Sequence, residues 1–198
     1  FKGRLGSDPD AESVHALELK LGYSRERSHE TYLGLTPDDF EAQPWRRYAA
    51  TQLGLMEWHR TQVEASWPVR IGEVFDARTV AYHHFLDRSW TKINRFEDPS
   101  VDMHALMHGT GEGRAGVLLA VLRGEEDSTE AERLLIGTND RRFHAYGVQS
   151  RARWSARGDV ISSRLEGGLR VHADDVLRLQ YEVPHHMRSG VLRRAGGR

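Results

Sequence analysis

Two segments in the first half of the chain repeat apolar and aromatic side chains at steps of three and four residues. The first spans residues 45–66 and the second spans residues 75–93. On an α-helix this spacing places the side chains on one face. The short connector around Pro68 and Gly72 favours antiparallel packing of two neighbouring helices. The sequence therefore predicts an N-terminal helical hairpin of two long amphipathic helices.

The second half of the chain has a different pattern. Short apolar runs alternate with turn-forming residues, and from Val176 to Val183 every second side chain is apolar. Strict alternation is typical of a half-buried strand. The predicted fold class is therefore α+β, with the helical hairpin followed by a mainly antiparallel β half, a small sandwich or barrel. The corresponding domains are a helical region over 1–99, a β-rich region over 100–183 and a basic flexible tail over 184–198.

Local signals add three shorter elements. Apolar spacing predicts a short helix over residues 11–21, and Thr36 followed by Pro37 and acidic residues predicts a helix start. A capping-box pattern after Asp127 predicts a helix over residues 128–136, with a strand over 133–138 as the competing interpretation. Residues 117–122 are interpreted as a buried strand that follows a glycine-rich turn.

The composition excludes several classes of protein. The 28 basic residues nearly balance the 29 acidic residues, which argues against a dedicated nucleic-acid binder. The chain has no cysteine, so disulfides, thiolate metal sites and cysteine nucleophiles are excluded. The longest apolar run, from Ala115 to Leu122, is far shorter than the roughly 20 residues that cross a bilayer as a helix. We therefore expect no transmembrane segment.

One short motif suggests a nucleotide site. Gly111, Gly113 and Gly116 match the G-x-G-x-x-G fingerprint, in which glycines let the backbone approach a pyrophosphate. The fingerprint needs a strand before it, for which residues 103–108 are the candidate, and a second strand near residues 134–138. Arg141 and Arg142 would then contact a 2′-phosphate. This alternative predicts an NADP-dependent oxidoreductase, against the plainer interpretation of a turn without a cofactor.

Two histidines form the candidate metal pair. His104 and His108 lie four residues apart, so that on a helix both imidazoles face the same way, as zinc ligands do. The sequence identifies no third ligand, and an isolated pair at this spacing is more often a surface or interface feature. The chain also lacks the G-x-S-x-G motif of a serine hydrolase. The sequence therefore predicts no catalytic residues and no cofactor, and favours a protein that is not an enzyme.

Arginine and aromatic residues point towards macromolecular contacts. The chain has 25 arginines against three lysines, together with five tryptophans, six tyrosines and six phenylalanines. Aromatic residues and arginine are enriched at the energetic centres of protein interfaces. Arginines interleaved with aromatics over residues 141–154 could instead stack on RNA bases. In the acid-free tail Arg188, Arg193 and Arg194 are candidate contacts to a partner protein or to anionic lipid.

These patterns favour a non-catalytic accessory or scaffold subunit of a large multiprotein assembly. The expected partners are other protein subunits. Phe1 in place of a methionine fits either an expressed fragment or a chain from which a presequence was removed. The second interpretation suggests a mitochondrial location and a respiratory-chain or ATP synthase complex. A second alternative is an organellar ribosomal accessory protein.

Overall fold

The computed structural model describes residues 1–109 and 111–196, which are mostly antiparallel β structure. Strands make up 59% of these residues and helices 14%. All seven strands belong to one sheet, in which each strand pairs with its neighbour in sequence. The strands are β1 (Lys2–Gly6), β2 (Ser13–Ser28), β3 (Leu55–Ile71), β4 (Phe75–Phe96), β5 (Leu134–Arg157), β6 (Ser162–Arg188) and β7 (Val191–Arg194). The short helices are α1 (Pro37–Ala42), α2 (Met103–His108) and α3 (Arg114–Arg123).

The predicted N-terminal helical hairpin is wrong. Most of its first helix is strand β3 and its second helix is strand β4, joined by a tight turn at Gly72. In both strands large side chains lie on both faces. Some of them therefore recur at steps of three and four residues, which imitates the spacing of a helix. The segments are also rich in valine, threonine and aromatic residues, which fit a pleated sheet better than a helix.

Two other predicted helices are corrected in the same direction. Residues 11–21 lie largely in strand β2. The capping box forms between Thr129 and Glu132, but it closes only one 3-10 turn, and strand β5 begins at Leu134. The competing strand interpretation of residues 133–138 is therefore right. The two hydrogen bonds of a capping box do not extend a helix when the residues that follow, here Leu134, Leu135 and Ile136, are buried in the sheet.

Several local predictions are confirmed. Helix α1 begins as expected, because the Thr36 hydroxyl accepts the Asp39 backbone N–H and Pro37 occupies the first turn. The alternating segment 176–183 lies in strand β6. Residues 117–122, interpreted as a strand, instead belong to helix α3, which ends at Gly124 in the left-handed conformation.

The chain divides into two compact units. Unit 1 comprises Phe1–Arg25, His59–Asp87 and Arg141–Leu177, and unit 2 comprises Glu26–Trp58, Arg88–Asp140 and Arg178–Arg198. The main hydrophobic core lies in unit 2, where helices α2 and α3 contribute to one cluster. Its buried residues are Tyr48, Ala50, Ile93, Phe96, Leu106, Met107, Leu118, Leu119, Val121, Leu122, Leu134, Ile136, Met187 and Leu192.

Unit 1 differs in having almost no core. Among its described residues only Val14 and Ala16 are buried apolar side chains. Its parts of strands β2 to β6 form a sheet that leaves large apolar side chains exposed. Such a sheet normally buries one face against another layer. We therefore expect the surface that binds a partner to lie on unit 1.

Candidate interaction surface

One face of the unit 1 sheet is polar and its charges are paired across strands. On strand β2, Lys20 donates to Glu64 of strand β3 at 3.0 Å. Arg151 of strand β5 pairs with Glu166 of strand β6 at 2.8 Å. Arg78 of strand β4 forms a further ion pair with Glu18. Each exposed pair contributes little to stability alone, but together they pair several charges of this face within unit 1.

Glu64 shows how the polar face is organised electrostatically. Its carboxylate accepts hydrogen bonds from the Lys20 ammonium and from the His84 imidazole, at 3.0 and 3.3 Å. The hydrogen bond from Lys20 is the main cause that lowers the pKa of Glu64, and His84 adds to it against the opposing effect of partial burial. Glu64 therefore stays ionised at neutral pH and holds strands β2, β3 and β4 in register.

The contacts of the polar face identify which side chains lie on the opposite face. Side chains alternate along a strand, so residues next to those of the polar face point the other way. On strands β2, β3, β4 and β6 the opposite face carries odd-numbered residues, and on strand β5 it carries even-numbered residues. The hydrogen bond of 3.0 Å between the Thr79 and Ser150 hydroxyls confirms this assignment for strands β4 and β5.

This opposite face, termed the apolar face, exposes many large hydrophobic side chains. The exposed fractions run from 37% for Val63 to 73% for Leu169. Isolated exposed hydrophobic residues are normal, but several on the same face of four strands, β2, β3, β5 and β6, mark an interaction site. The apolar face comprises Leu17, Leu19, Leu21, Val63, Trp67, Tyr146, Val148, Trp154, Leu165, Leu169 and Val171.

Polar groups interrupt the apolar face. Asp87 accepts a hydrogen bond from Arg142 Nε at 3.0 Å. The His83 and His144 rings stack with their centroids 5.5 Å apart, and Phe85 packs on His144 at 4.8 Å. Aromatic, histidine and arginine side chains among aliphatic ones give this face the mixed composition of a protein interface.

Sequence analysis did not identify the apolar face, although one segment carried its signal. Leu17-Glu18-Leu19-Lys20-Leu21 alternates strictly between apolar and charged side chains. That period of two residues is diagnostic of a strand with one apolar face. The helical interpretation of residues 11–21 used Val14, Leu17 and Leu21 and left Leu19 unexplained.

The glycine motif lies in unit 2 and begins helix α3. Gly111 and Gly113 have positive φ values of 69° and 57°, and Gly113 is the residue before the helix. A Cβ atom on Gly116 would lie 2.4 Å from the Gly111 carbonyl oxygen, so these glycines permit a compact loop. The segment 103–108, assigned as the strand that precedes the fingerprint, is helix α2. The loop therefore lacks the strand–turn–helix context that nucleotide binding requires.

The two candidate metal-ligating histidines lie side by side, without a third ligand in the described part of the chain. His104 and His108 lie one turn apart on helix α2, with ring centroids 4.4 Å apart, and His108 Nδ1 lies 2.9 Å from the His104 carbonyl oxygen. Within residues 1–109 and 111–196, no group of three or more histidine, aspartate and glutamate side chains is placed to hold a metal ion.

Three of the candidate arginines, Arg141, Arg142 and Arg188, make interactions within the chain. Arg142 pairs with Asp87 in unit 1, and Arg141 also makes an interaction within the structure. In unit 2 the end of strand β6 pairs with strand β7, so that His186 faces Arg193 and His185 faces Arg194. Arg188 Nη1 donates to the Ser128 carbonyl oxygen at 2.5 Å. The structure thus places two arginines of the basic tail on an ordered hairpin strand.

Comparison of the sequence with protein-family models and with functionally characterised proteins finds no match. In the described part of the chain no helix has the length and apolar character needed to cross a membrane.

Proposed function

We propose that this protein is a non-catalytic accessory or scaffold subunit that binds another protein through the apolar face of unit 1. The exposure of large hydrophobic side chains on one sheet face, from strands β2, β3, β5 and β6, is the observation that supports the proposal. Exposed contiguous apolar area is costly in water and is usually covered in the working state of a protein.

The core distribution supports the same function. Unit 2 has a packed cluster that includes fully buried Phe96, Leu122 and Leu134, whereas unit 1 buries only Val14 and Ala16 among its described apolar residues. A partner layer on the apolar face would give the sheet of unit 1 the second layer that most sheets possess.

The chemistry of the face favours a protein as the partner. A purely apolar environment would offer no polar groups to the Arg142–Asp87 ion pair and the His83–His144 stack. Covering the face with it would therefore cost the desolvation free energy of these groups. A protein surface can supply such groups and can pack against Trp67 and Trp154, the residue type most enriched at interface hot spots. The expectation from the sequence that the assembly is a mitochondrial complex stays a prediction.

Two neighbouring residues of strand β5 provide a matched test. Val148 belongs to the apolar face, and Gln149, also exposed, points to the polar face. Val148→Glu places a charge in the proposed interface, whereas Gln149→Glu adds the same charge on the other side of the sheet. We expect Val148→Glu to shift the protein from a large complex to a free species, and Gln149→Glu to leave the complex intact.

The measurement is native mass of the complex that contains the tagged chain after gentle lysis of the source cells. Circular dichroism of both purified variants checks that the sheet is retained. Recovery of the wild-type chain only as a small free species would refute the proposal. An equal loss of the complex in both variants would also refute it, because the effect would then not depend on the apolar face.

A further inference from the structure

Strand β6 has an open edge over most of its length. One edge pairs with strand β5, and strand β7 pairs with the other edge only from His185 to Arg188. Among the described residues no strand pairs with the outer edge between Ser162 and Pro184. Every residue from Ser162 to Glu182 is exposed. This segment, termed the β6 edge, presents unpaired backbone N–H and C=O groups to any chain that can align with it.

The β6 edge lacks two of the features that commonly prevent strand addition. Exposed edges are protected by proline, by charged side chains, especially lysine, or by very short strands. The segment 162–182 contains no proline and no lysine, and the first proline comes at position 184. Its charged side chains are arginines and carboxylates of both signs, so the edge favours a strand whose charges are complementary to its own.

The side-chain order of the β6 edge is self-complementary. In an antiparallel pair of two copies with the two-fold axis at His172, residues equally far before and after the axis face each other. Arg170 then faces Asp174 of the second copy, and Glu166 faces Arg178 of the second copy. Symmetry repeats both contacts, which gives four ion pairs. Within one strand Arg170 and Asp174 lie roughly 13 Å apart, too far to pair with each other.

The exposure of these groups permits the contacts. The Asp174 side chain is 69% exposed and the Glu166 side chain 44%. Glu166 already pairs with Arg151 of strand β5 at 2.8 Å, so Arg178 of the second copy would join an existing ion pair. Arg170 Nη2 donates to the Tyr82 hydroxyl at 3.0 Å, and a guanidinium with five donor hydrogens can also bind a carboxylate. On the apolar face Leu165 falls opposite Leu179, and Val171 opposite Ala173. Asp175 falls opposite the uncharged Leu169.

Neighbouring registers fit less well. An axis at Val171 would place Arg164 against Arg178, and like charges directly opposite each other destabilise a sheet. An axis at Ala173 would face Arg170 with Val176 and would offer Glu182 to Arg164. That register has only this one kind of opposed ion pair, because Arg178 then faces Gly168 and Glu166 faces Gln180, whereas the register at His172 has two kinds. The charges therefore favour the register centred on His172.

We propose that two copies of this chain associate by antiparallel pairing of their β6 edges about a two-fold axis at His172. The contact uses the strand edge, whereas the proposed function uses the face of the sheet. The two proposals can therefore fail independently.

Charge reversal tests the pairing. Sedimentation equilibrium of the purified full chain should show a dimer, and Asp174→Arg and Arg170→Asp should each weaken it roughly tenfold or more, since attractive pairs become repulsive. An equimolar mixture of the two variants should form a heterodimer, because every opposed pair is then attractive again. The double variant R170D/D174R should recover the homodimer. Arg157→Asp, a charge reversal at an exposed residue outside the β6 edge, should leave the dimer unchanged.

Engineered cysteines test the register. The chain has no native cysteine, so any disulfide must come from the introduced residue. His172→Cys places two thiols opposite each other at the axis and should form an intermolecular disulfide under mild oxidation. Val176→Cys, on the same side of the strand, would hold its two thiols roughly 26 Å apart and should not cross-link.

Three outcomes would overturn the proposal. They are a wild-type chain that is monomeric at all concentrations, single reversals that dimerise as well as the wild type, and cross-linking at Val176→Cys but not at His172→Cys. Val148→Glu lies on strand β5 and should leave this dimer intact. A monomeric chain whose larger assembly still depends on Val148 would refute the dimer and leave the proposed function standing.

Discussion

The most constrained carboxylate of unit 2 is Asp39. It is almost fully buried and is held by three donors, the Tyr48 hydroxyl, Arg123 Nε at 2.8 Å and Arg46 Nη1 at 3.3 Å. The donors come from parts of the chain up to 84 residues away in sequence. Asp39 therefore joins helix α1, the segment before the 3-10 turn at residues 49–51 and helix α3 in one network.

Asp39→Asn should destabilise the protein by about 3 kcal/mol, because it leaves the partly buried Arg123 without its counter-charge. The free energy of unfolding in urea measures the effect. Asp38→Asn is the matched control, since the neighbouring Asp38 is exposed and its loss should cost less than about 1 kcal/mol. Equal effects of the two substitutions would show that the network contributes nothing beyond the charge of the first helical turn.

The same pair predicts a pH dependence. Burial raises the pKa of Asp39, but the hydrogen bonds from Tyr48 and Arg123 and the charges of Arg123 and Arg46 outweigh it, so the pKa lies below its ordinary value of 3.8. A carboxylate with a lowered folded-state pKa contributes stability that is fully present above the unfolded pKa. That stability is lost as the pH falls through the folded pKa. The stability difference between wild type and Asp39→Asn should therefore be constant above about pH 5 and shrink below about pH 4.

At the scale of elements, the end of helix α3 depends on a glycine for two separate reasons. Gly124 has a φ of 82°, in the left-handed region, and a Cβ atom there would lie 2.5 Å from the Ala49 Cβ and 3.1 Å from the Gly190 Cα. Gly34 has a similar φ of 76°, but a Cβ atom there would meet nothing within 4 Å. The two glycines share the conformational requirement and differ only in the space around them.

Gly34→Ala should therefore cost about 1 kcal/mol, the price of the left-handed conformation alone. Gly124→Ala should cost about 3 kcal/mol, because the methyl group must also displace Ala49 or the turn at Gly190. Thermal unfolding of the two variants separates the two contributions. Equal destabilisation would mean that the end of helix α3 relaxes freely to accept a side chain.

Local sequence signals predicted an element correctly where each residue of the signal has a single structural role. Thr36 and Pro37 predicted the start of helix α1, and the alternation before Val183 predicted a strand. Strands β3 and β4 were predicted as helices because both of their faces carry large side chains. In strand β4, Tyr82 lies on the polar face and Phe85 on the apolar face, so spacing alone does not separate the two periods.

At the scale of the molecule, the candidate surface depends on register, which local sequence does not contain. Glu18 pairs with Arg78, and Arg142 pairs with Asp87, 60 and 55 residues apart. Which side chains share a face follows from such pairings, so composition predicted an interaction protein without locating its surface. For the glycine motif the local spacing is correct but the structural context is not, because the element before it is helix α2 and not a strand.

The unequal distribution of core residues predicts unequal local stability. Amide hydrogens exchange by local opening, which needs less free energy where few apolar contacts are broken. Strand β5 contains an internal comparison, because Leu134, Leu135 and Ile136 are buried in unit 2 and residues 141–157 belong to unit 1. In the isolated chain we expect exchange in residues 141–157 and 162–177 to be at least roughly tenfold faster than at the start of strand β5.

Hydrogen exchange measured by mass spectrometry can follow both regions in one sample. When the apolar face is covered in the native assembly, exchange in residues 141–157 should slow, whereas exchange at the start of strand β5 should change little. Val148→Glu should abolish this slowing and Gln149→Glu should preserve it. Uniform protection of strand β5 in the isolated chain would contradict the argument, because the sheet of unit 1 would then be stable without a second layer.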